Sequence, residues 1–220
     1  MAKIFSGAAR IGSARLVDPV ARSLLRLGIS PDAVTLVGTA GVVAGAIWFG
    51  ARGQFLVGAL VVVLFALVDM VDGGMARARG YSTRFGALLD STMDRIADGA
   101  VLGAVVYWYA SQGESPTVAA GLLCLVASQV ISYVKARAQS VGIACDVGLV
   151  ERPERLVLLG LGALGTGLGL GWALPVALWV LGALSLVTIA QRVLHVRRAD
   201  LRAREAQARE TQETELPERE

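Results

Sequence analysis

Histidine, cysteine and charge are all scarce in this 220-residue sequence, and each shortage excludes a class of protein. There is one histidine, and the two cysteines, Cys124 and Cys145, stand far apart. Two isolated cysteines provide neither a disulfide framework nor a metal-binding spacing. Charged residues make up 18% of the chain and the net charge is only +3, so charge gives no indication of nucleic-acid binding. The phosphate-binding pattern GxxxxGK is also absent.

Apolar residues, by contrast, make up 55% of the chain and occur in long blocks. Six blocks cover residues 33–50, 54–68, 97–110, 118–134, 156–170 and 172–190. A helix that crosses a bilayer needs about 20 mostly apolar residues, and shorter blocks can be extended by polar ends. The pattern predicts an all-α integral membrane protein with six transmembrane helices in one domain, residues 1–196. The arginine-containing residues 1–30 have no uninterrupted apolar core, which favours an interfacial amphipathic helix over a signal peptide.

Positive charge is distributed unevenly among the segments that separate the blocks. The N-terminal segment, the second and fourth connections and the C-terminal segment are rich in Arg and Lys, whereas the other connections carry Arg52 alone. The positive-inside rule therefore predicts a multi-pass protein of the cell membrane with both termini on the cytoplasmic side. Residues 197–220 carry charges of both signs, which is typical of a solvated tail.

Four aspartates lie beside apolar blocks in the stretch LVDMVDGGMARARGYSTRFGALLDSTMD. Asp69 and Asp72 are three residues apart and Asp90 and Asp94 are four apart, so each pair shares a helix face. A helical hairpin that turns at GYST would bring Asp72 level with Asp90, and Asp69 level with Asp94, about 12 Å from the turn. Carboxylates without His or Cys indicate Mg²⁺ or Mn²⁺, and four of them could hold two ions. A single aspartate near the end of a span is typical of an interfacial charge. Two pairs of aspartates, each pair on one helix face, indicate a functional site instead.

Residues that suit a phosphate ligand lie between the two acidic pairs. Gly73 follows Asp72 and Gly86 precedes Asp90 by one turn, and both allow a ligand or a second helix to approach the backbone closely. Arg77, one turn after Gly73, offers a planar donor fork to phosphate.

Asp69-x-x-Asp72-Gly73-x-x-Ala76-Arg77, followed by Gly86-x-x-x-Asp90-x-x-x-Asp94, resembles the signature of the CDP-alcohol phosphotransferases. The resemblance implies a membrane enzyme, commonly a homodimer, that moves a substituted phosphoryl group from a CDP-linked donor to an alcohol and releases CMP. It also implies that the four aspartates are metal ligands and that Asp94 is in addition the catalytic base. The active site would then face the cytoplasm. The residues expected to contact CDP-diacylglycerol are Pro31, Asp32, Ala33, Val34, Thr35, Gly73, Arg77, Thr83 and Gly86.

The acceptor alcohol depends on a second group of residues, near the inferred cytoplasmic ends of the last three apolar blocks. Ser132, Lys135, Arg155 and Arg192 would form a basic cup that suits an acceptor carrying its own phosphate. The same positive charges also suit membrane topology and lipid headgroups. His195 is expected to be an ordinary interfacial residue, and the alternative is that it touches an acceptor phosphate. Asp98, one turn after Asp94, would either support the metal site or pair with Arg95 or a helix neighbour.

The segments YVKARA, ERPER and QRVLHVRR, with the basic N-terminal helix, are similar to the actinobacterial phosphatidylinositol-phosphate synthases. That resemblance implies that inositol 1-phosphate accepts the phosphatidyl group and that phosphatidylinositol phosphate and CMP are formed. A phosphatidylglycerophosphate synthase, which uses glycerol 3-phosphate, is the alternative. A divalent cation transporter is disfavoured because no internal repeat is evident and a transporter has no need of Gly-x-x-Ala-Arg between its acidic residues.

Overall fold

A computed structural model of the chain describes residues 19–79 and 83–215, with the side chains of all of these except 69, 70, 76 and 209–215. Within these ranges every regular element is helical, which confirms the predicted all-α class. The helices are α1 (19–26), α2 (Pro31–Trp48), α3 (Phe55–Arg79), α4 (Arg84–Ser111), α5 (Ser115–Ser140), α6 (Arg152–Gly167) and α7 (Ala173–Glu215). A 3-10 turn, Gly50–Arg52, joins α2 to α3.

Side-chain caps fix where three of these helices begin. Ser30 Oγ accepts a hydrogen bond from the backbone N–H of Ala33 at 3.2 Å, and Pro31 occupies the first position of α2. Thr83 Oγ1 accepts from the N–H of Gly86 at 2.9 Å at the start of α4. α6 begins with a capping box between Glu151 and Glu154. These caps satisfy backbone donors that have no partner within the helix.

Four helices in the described ranges are long and apolar enough to cross a membrane, and they are α2, α3, α5 and the first part of α7. Many of their large apolar side chains face outward, as Leu60 and Val126 do, and together with the helix composition this identifies a membrane protein. The other two predicted spans correspond to α4 and α6. Charged residues occupy the first half of α4, including Asp90 and Asp94, and α6 has only 16 residues.

The helices pack around a core at the centre of the bundle. α2 packs against α3 and α4, α5 against α4 and α7, and α6 against α3 and α7. Phe55 stacks on the buried ring of Tyr109, with 5.9 Å between the ring centroids. α2 approaches α3 through small residues, since a Cβ on Gly45 would lie 2.6 Å from Val61 Cγ1.

The predicted α3–α4 hairpin is not closed by direct packing of the two helices. Among the described residues, no Cα atom of α3 comes within 8 Å of one in α4, and α2 packs against both helices instead. The separation of α3 from α4 leaves room for a cleft between them.

The N-terminal helix is described only in part, because residues 1–18 of the predicted interfacial helix lie outside the described residues. Ala21 of α1 is fully buried in a small apolar cluster with Val34, Val71 and Met75. α1 therefore packs on α2 and α3 next to the cleft and supports its wall.

Candidate active site

A cleft of about 270 Å³ lies where the start of α2, the last turns of α3 and the start of α4 meet. Its lining residues are Ser30, Pro31, Asp32, Thr35, Asp72, Gly73, Arg79, Thr83, Gly86, Ala87 and Asp90. Because α2 and α4 both begin here, their free backbone N–H groups and the positive ends of their dipoles favour an anionic ligand. The cleft thus combines carboxylates with features that suit phosphate.

Asp72 and Asp90 face this cleft from opposite sides. Asp72 accepts hydrogen bonds from the hydroxyl of Thr35 and from the backbone N–H of Gly73, which together fix the position of its carboxylate. Asp90 is exposed on α4. Two carboxylates that share a polar cleft suit a hard divalent cation such as Mg²⁺ or Mn²⁺. The side chain of Asp69 lies outside the described residues, and among the side chains that are described no three His, Cys, Asp or Glu groups form a metal cluster by themselves.

Two glycines keep the cleft open to a ligand. A Cβ on Gly86 would lie 2.9 Å from Thr83 Oγ1 and 3.2 Å from Asp32 Oδ1, so a side chain here would collide with both the α4 cap and the first turn of α2. A Cβ on Gly73 would lie 3.5 Å from Arg77 Nη1. The Arg77 guanidinium is therefore folded back towards Gly73, beside the cleft. Of the other predicted donor contacts, Ala33 and Val34 belong to the first turn of α2, where Val34 is buried against α1 and α3.

Asp94 takes part in ion pairs rather than facing the cleft with Asp72. Its Oδ1 lies 2.7 Å from Nη1 of Arg152 and its Oδ2 lies 3.4 Å from Nη2 of Arg95. The side chain of Asp94 is 14% exposed. One helical turn further, the buried Asp98 lies 2.7 Å from Arg155 Nη2 and 3.7 Å from Arg152 Nε. Two aspartates of α4 are thus linked to two arginines of α6.

Arginines from three helices gather around these two aspartates. The buried Arg155 lies within electrostatic range of Arg95, Arg152 and Arg192. Among the described residues, four guanidinium groups therefore lie close together, and their carboxylate partners are Asp94, Asp98 and Glu151. A cluster of guanidinium groups suits a bound anion.

The four predicted acceptor residues differ in their surroundings. Arg192 is buried and donates hydrogen bonds to the carbonyls of Val147 at 2.8 Å and Ile131 at 2.7 Å. Lys135 Nζ lies 2.7 Å from Asp146 Oδ1, and Ser132 donates to the Ser128 carbonyl one turn back on α5. The structure thus brings Arg155 and Arg192 into one cluster. Lys135 is paired with Asp146 instead, and Ser132 is bonded within α5.

Sequence reasoning missed two features of the site. No role in the site was predicted for Arg152, although its spacing of three from Arg155 places both on one face of α6. Arg79 lines the cleft and was not assigned to it. Asp98 was considered, but its partner was sought on its own helix, whereas its arginine partners come from α6.

Comparison with known proteins gives a consistent result. Residues 28–190 match the family model described as CDP-alcohol phosphatidyltransferase. A Mycobacteroides abscessus protein named phosphatidylinositol phosphate synthase is 48% identical over 210 residues, which cover 93% of this chain and 96% of that protein. A Streptomyces avermitilis protein of the same name is 48% identical over 210 residues, covering 92% of this chain and 86% of the relative.

Solved structures agree with the sequence matches. The Mycobacterium tuberculosis phosphatidylinositol phosphate synthase with CDP-DAG bound superposes with a TM-score of 0.79 at 48% identity, over 83% of this chain and 94% of that one. The same enzyme in complex with manganese and citrate gives a TM-score of 0.78, over 82% of this chain and 88% of that one.

Proposed function

This chain belongs to the CDP-alcohol phosphatidyltransferase family, and we propose that it transfers the phosphatidyl group of CDP-diacylglycerol to a hydroxyl of inositol 1-phosphate. The products are phosphatidylinositol phosphate and CMP. The observation that carries the proposal is the cleft at the start of α2 and α4, in a chain 48% identical over nearly its full length to an enzyme of that name. In the reaction a bond forms from the acceptor oxygen to the lipid-linked phosphorus, and the bond from that phosphorus to the CMP oxygen breaks.

The donor nucleotide would occupy the cleft. Pro31 to Thr35 would cover one side, and Gly73 and Gly86 would let the pyrophosphate approach the backbone. Arg77 would turn its donor fork from Gly73 to a phosphate oxygen, and Thr83 would hold the first turn of α4 in place. The binding of CDP-DAG by the Mycobacterium tuberculosis enzyme, which has the same fold, supports this assignment.

The proposed reaction uses divalent metal ions. Two ions of Mg²⁺ or Mn²⁺ would be held by Asp69, Asp72, Asp90 and Asp94. Bound there, divalent cations would offset the charge of the pyrophosphate and polarise the phosphoryl group. Thr35 would orient Asp72 through its hydrogen bond to that carboxylate. The manganese complex of the related enzyme supports the choice of a hard divalent cation.

Asp94 would act as the general base that takes the acceptor's hydroxyl proton. Its ion pair with Arg152 holds the carboxylate in a fixed position. The same guanidinium lies near Asp98, so Arg152 is held from two sides and can orient Asp94. This proton acceptor lies next to the arginine cluster, where an anionic acceptor would be held.

The acceptor phosphate would be bound by Ser132, Lys135, Arg155 and Arg192. The cluster of guanidinium groups in this region supports an acceptor with its own negative charge. Lys135 would exchange Asp146, an exposed partner, for the phosphate. Free inositol would leave this positive charge uncompensated and should react poorly.

We further propose how the chain is arranged in the membrane. Residues 1–196 would form a membrane domain with six spans, in which α4 and α6 cross the bilayer with their charged ends turned inward, and residues 1–30 would lie at the interface. Residues 197–220 would form a cytoplasmic tail. Both termini and the cleft would face the cytoplasm, and the enzyme would be a homodimer in the cell membrane.

An acceptor screen tests the function. The purified protein would be given CDP-diacylglycerol, Mg²⁺ or Mn²⁺, and one of inositol 1-phosphate, free inositol, glycerol 3-phosphate or serine, and CMP release would be followed. We expect fast release only with inositol 1-phosphate, and none after chelation of the metal. Turnover with glycerol 3-phosphate alone would replace the assigned acceptor but keep the reaction class, whereas a lack of CMP with every acceptor would overturn both.

A further inference from the structure

A second cavity, of about 610 Å³, lies outside the proposed active site. One wall is the 147–149 segment that precedes α6, and the other is the face of α7 that carries Gln191, His195, Arg198 and Arg202. These four residues follow helical spacing and so point to one side of α7. We refer to this cavity as the α7 groove.

Hydrogen bonds hold the 147–149 segment against α7, so this wall of the groove has a defined position. The backbone N–H of Val150 donates to Thr188 Oγ1 at 3.2 Å, and the carbonyl of Val147 accepts from Arg192 Nε at 2.8 Å. Gly148 has φ of +144°, and a Cβ there would lie 2.7 Å from Thr188 Cγ2. The segment thus lies so close to α7 that any side chain at position 148 would collide with Thr188. Arg192 reaches the inner side of this segment, away from the groove.

The position of the groove along α7 matches the surface of a bilayer. The charge-free stretch of α7 runs from 173 to 190, and its 18 residues span about 27 Å, close to the hydrocarbon thickness of a membrane. Gln191 therefore begins the part of the helix that lies among lipid headgroups. Leu149 and Leu194, which line the groove, are 52% and 46% exposed, so it has an apolar floor at this level.

The charges of the groove are of one sign. Arg198 and Arg202 are exposed along it, and no acidic side chain is found among the described residues that line it. The nearest acidic residue on α7, Asp200, lies on another face of the helix and pairs with Arg204 at 2.9 Å. His195 lies 3.1 Å from the Ala144 carbonyl, which can only accept, so Nε2 carries the hydrogen.

One of the residues that line the groove, Gln191, has a side-chain oxygen without a hydrogen-bond donor among the described residues. The side-chain oxygen Oε1 of Gln191 is buried and has no hydrogen-bond partner in the described structure. A carbonyl oxygen in this position is satisfied by a hydroxyl or ammonium group. A phosphate held between the two arginines would place the headgroup attached to it within the same cavity.

We propose that the α7 groove binds an anionic phospholipid of the surrounding membrane. Its phosphate is held by Arg198 and Arg202, a headgroup hydroxyl donates to Gln191 Oε1, and its acyl chains follow Leu149 and Leu194 into the bilayer. The site is separate from the cleft between α2, α3 and α4, and the proposal does not depend on the enzymatic activity.

Native mass spectrometry of the full chain, purified in detergent and titrated with phosphatidylglycerol, tests the site. We expect the Kd to rise about 10-fold in the double variant Arg198→Gln/Arg202→Gln. The matched control is Arg197→Gln/Arg204→Gln, which removes the same charge from the other side of α7 and should leave the Kd within about twofold. Equal weakening in both double variants would mean general surface attraction and would overturn the proposal.

Two further binding measurements identify the class of ligand. Phosphatidylcholine should bind at least about 10-fold more weakly than phosphatidylglycerol, and excess inorganic phosphate should not displace the lipid. Gln191→Leu should reduce the preference for phosphatidylglycerol over phosphatidic acid, which lacks the headgroup hydroxyl. Equal binding of phosphatidylcholine, or displacement by phosphate, would overturn the assignment to an anionic lipid.

Discussion

Arg152 at the start of α6 lies 2.7 Å from the carboxylate of Asp94 on α4. The same guanidinium lies 3.7 Å from Asp98, whose other partner is the buried Arg155. The proposed base is therefore joined to a buried ion-pair network rather than standing alone. This relationship implies that the orientation of Asp94 depends on residues that do not line the cleft with Asp72.

Asp94→Asn should abolish most of the activity. The amide cannot accept the acceptor's proton, and the loss of a general base lowers kcat by about 100-fold or more. CMP release measures the effect. Asp200→Asn removes an exposed carboxylate from α7 and should leave the rate unchanged. Normal CMP release by Asp94→Asn would contradict the assigned role.

Arg152→Lys should lower kcat by roughly 10-fold although the charge is kept, because an ammonium group lacks the planar fork that reaches both aspartates. If Arg152 acts through Asp94, the double variant with Asp94→Asn should be no slower than Asp94→Asn alone. The measurement is a double-mutant cycle on kcat. Additive losses would show that Arg152 contributes separately, for example by binding substrate.

Arg155→Met should destabilise the fold by about 3–5 kcal/mol, because it leaves Asp98 buried without its strongest partner. Thermal unfolding in detergent would show a lower midpoint. The double variant Arg155→Met/Asp98→Leu replaces both charges by apolar groups and should recover much of the loss. Arg204→Gln, which breaks an exposed pair on α7, serves as the control and should leave the midpoint unchanged within error. An undisturbed midpoint in Arg155→Met would contradict the buried pair.

Gly86→Ala should raise the KM for CDP-diacylglycerol roughly 10-fold, since the added methyl group would meet Thr83 and Asp32 at the cleft. Gly99→Ala is the matched control on the same helix, because a Cβ there would meet no described side chain or neighbouring helix within 4 Å. Steady-state kinetics with a saturating acceptor would separate the two. A similar KM in both variants would argue against donor binding beside Gly86.

Thr35→Val should weaken metal binding by about 10–100-fold, because Asp72 loses the hydroxyl that orients it. Mn²⁺ binding, followed by the loss of the free-ion electron paramagnetic resonance signal, reports this independently of turnover. Thr35→Ser keeps the hydroxyl and should retain most of the affinity. Equal weakening in Thr35→Ser would point to packing of the methyl group instead.

Local patterns in the sequence were enough to predict the helical class, the apolar blocks and the acidic motif. The spacing of Asp72 and Asp90 about a turn led to the expectation that they face each other, and both do line one cleft. This worked because the two residues lie on consecutive helices, at similar distances from the connection between them.

Contacts between distant segments could not be read in the same way. Asp98 and Arg155 are 57 residues apart, and no spacing rule connects residues on two helices that are not consecutive in the sequence. The position of α2 against both α3 and α4 was missed for the same reason, since the motif carries no information about a third helix. The buried partners of Arg192 likewise depend on how α5, α6 and α7 meet.

The packing of α2 against both α3 and α4 has a consequence for how such enzymes can diversify. The described residues that line the proposed donor cleft come from 30–90, whereas the proposed acceptor residues come from 132–192. Only α4 contributes to both regions, through Asp90 at its start and Asp94 one turn later. A recombination junction within α4 would therefore join the proposed nucleotide half of one parent to the proposed alcohol half of another, provided that the pairs of Asp94 and Asp98 with α6 are kept.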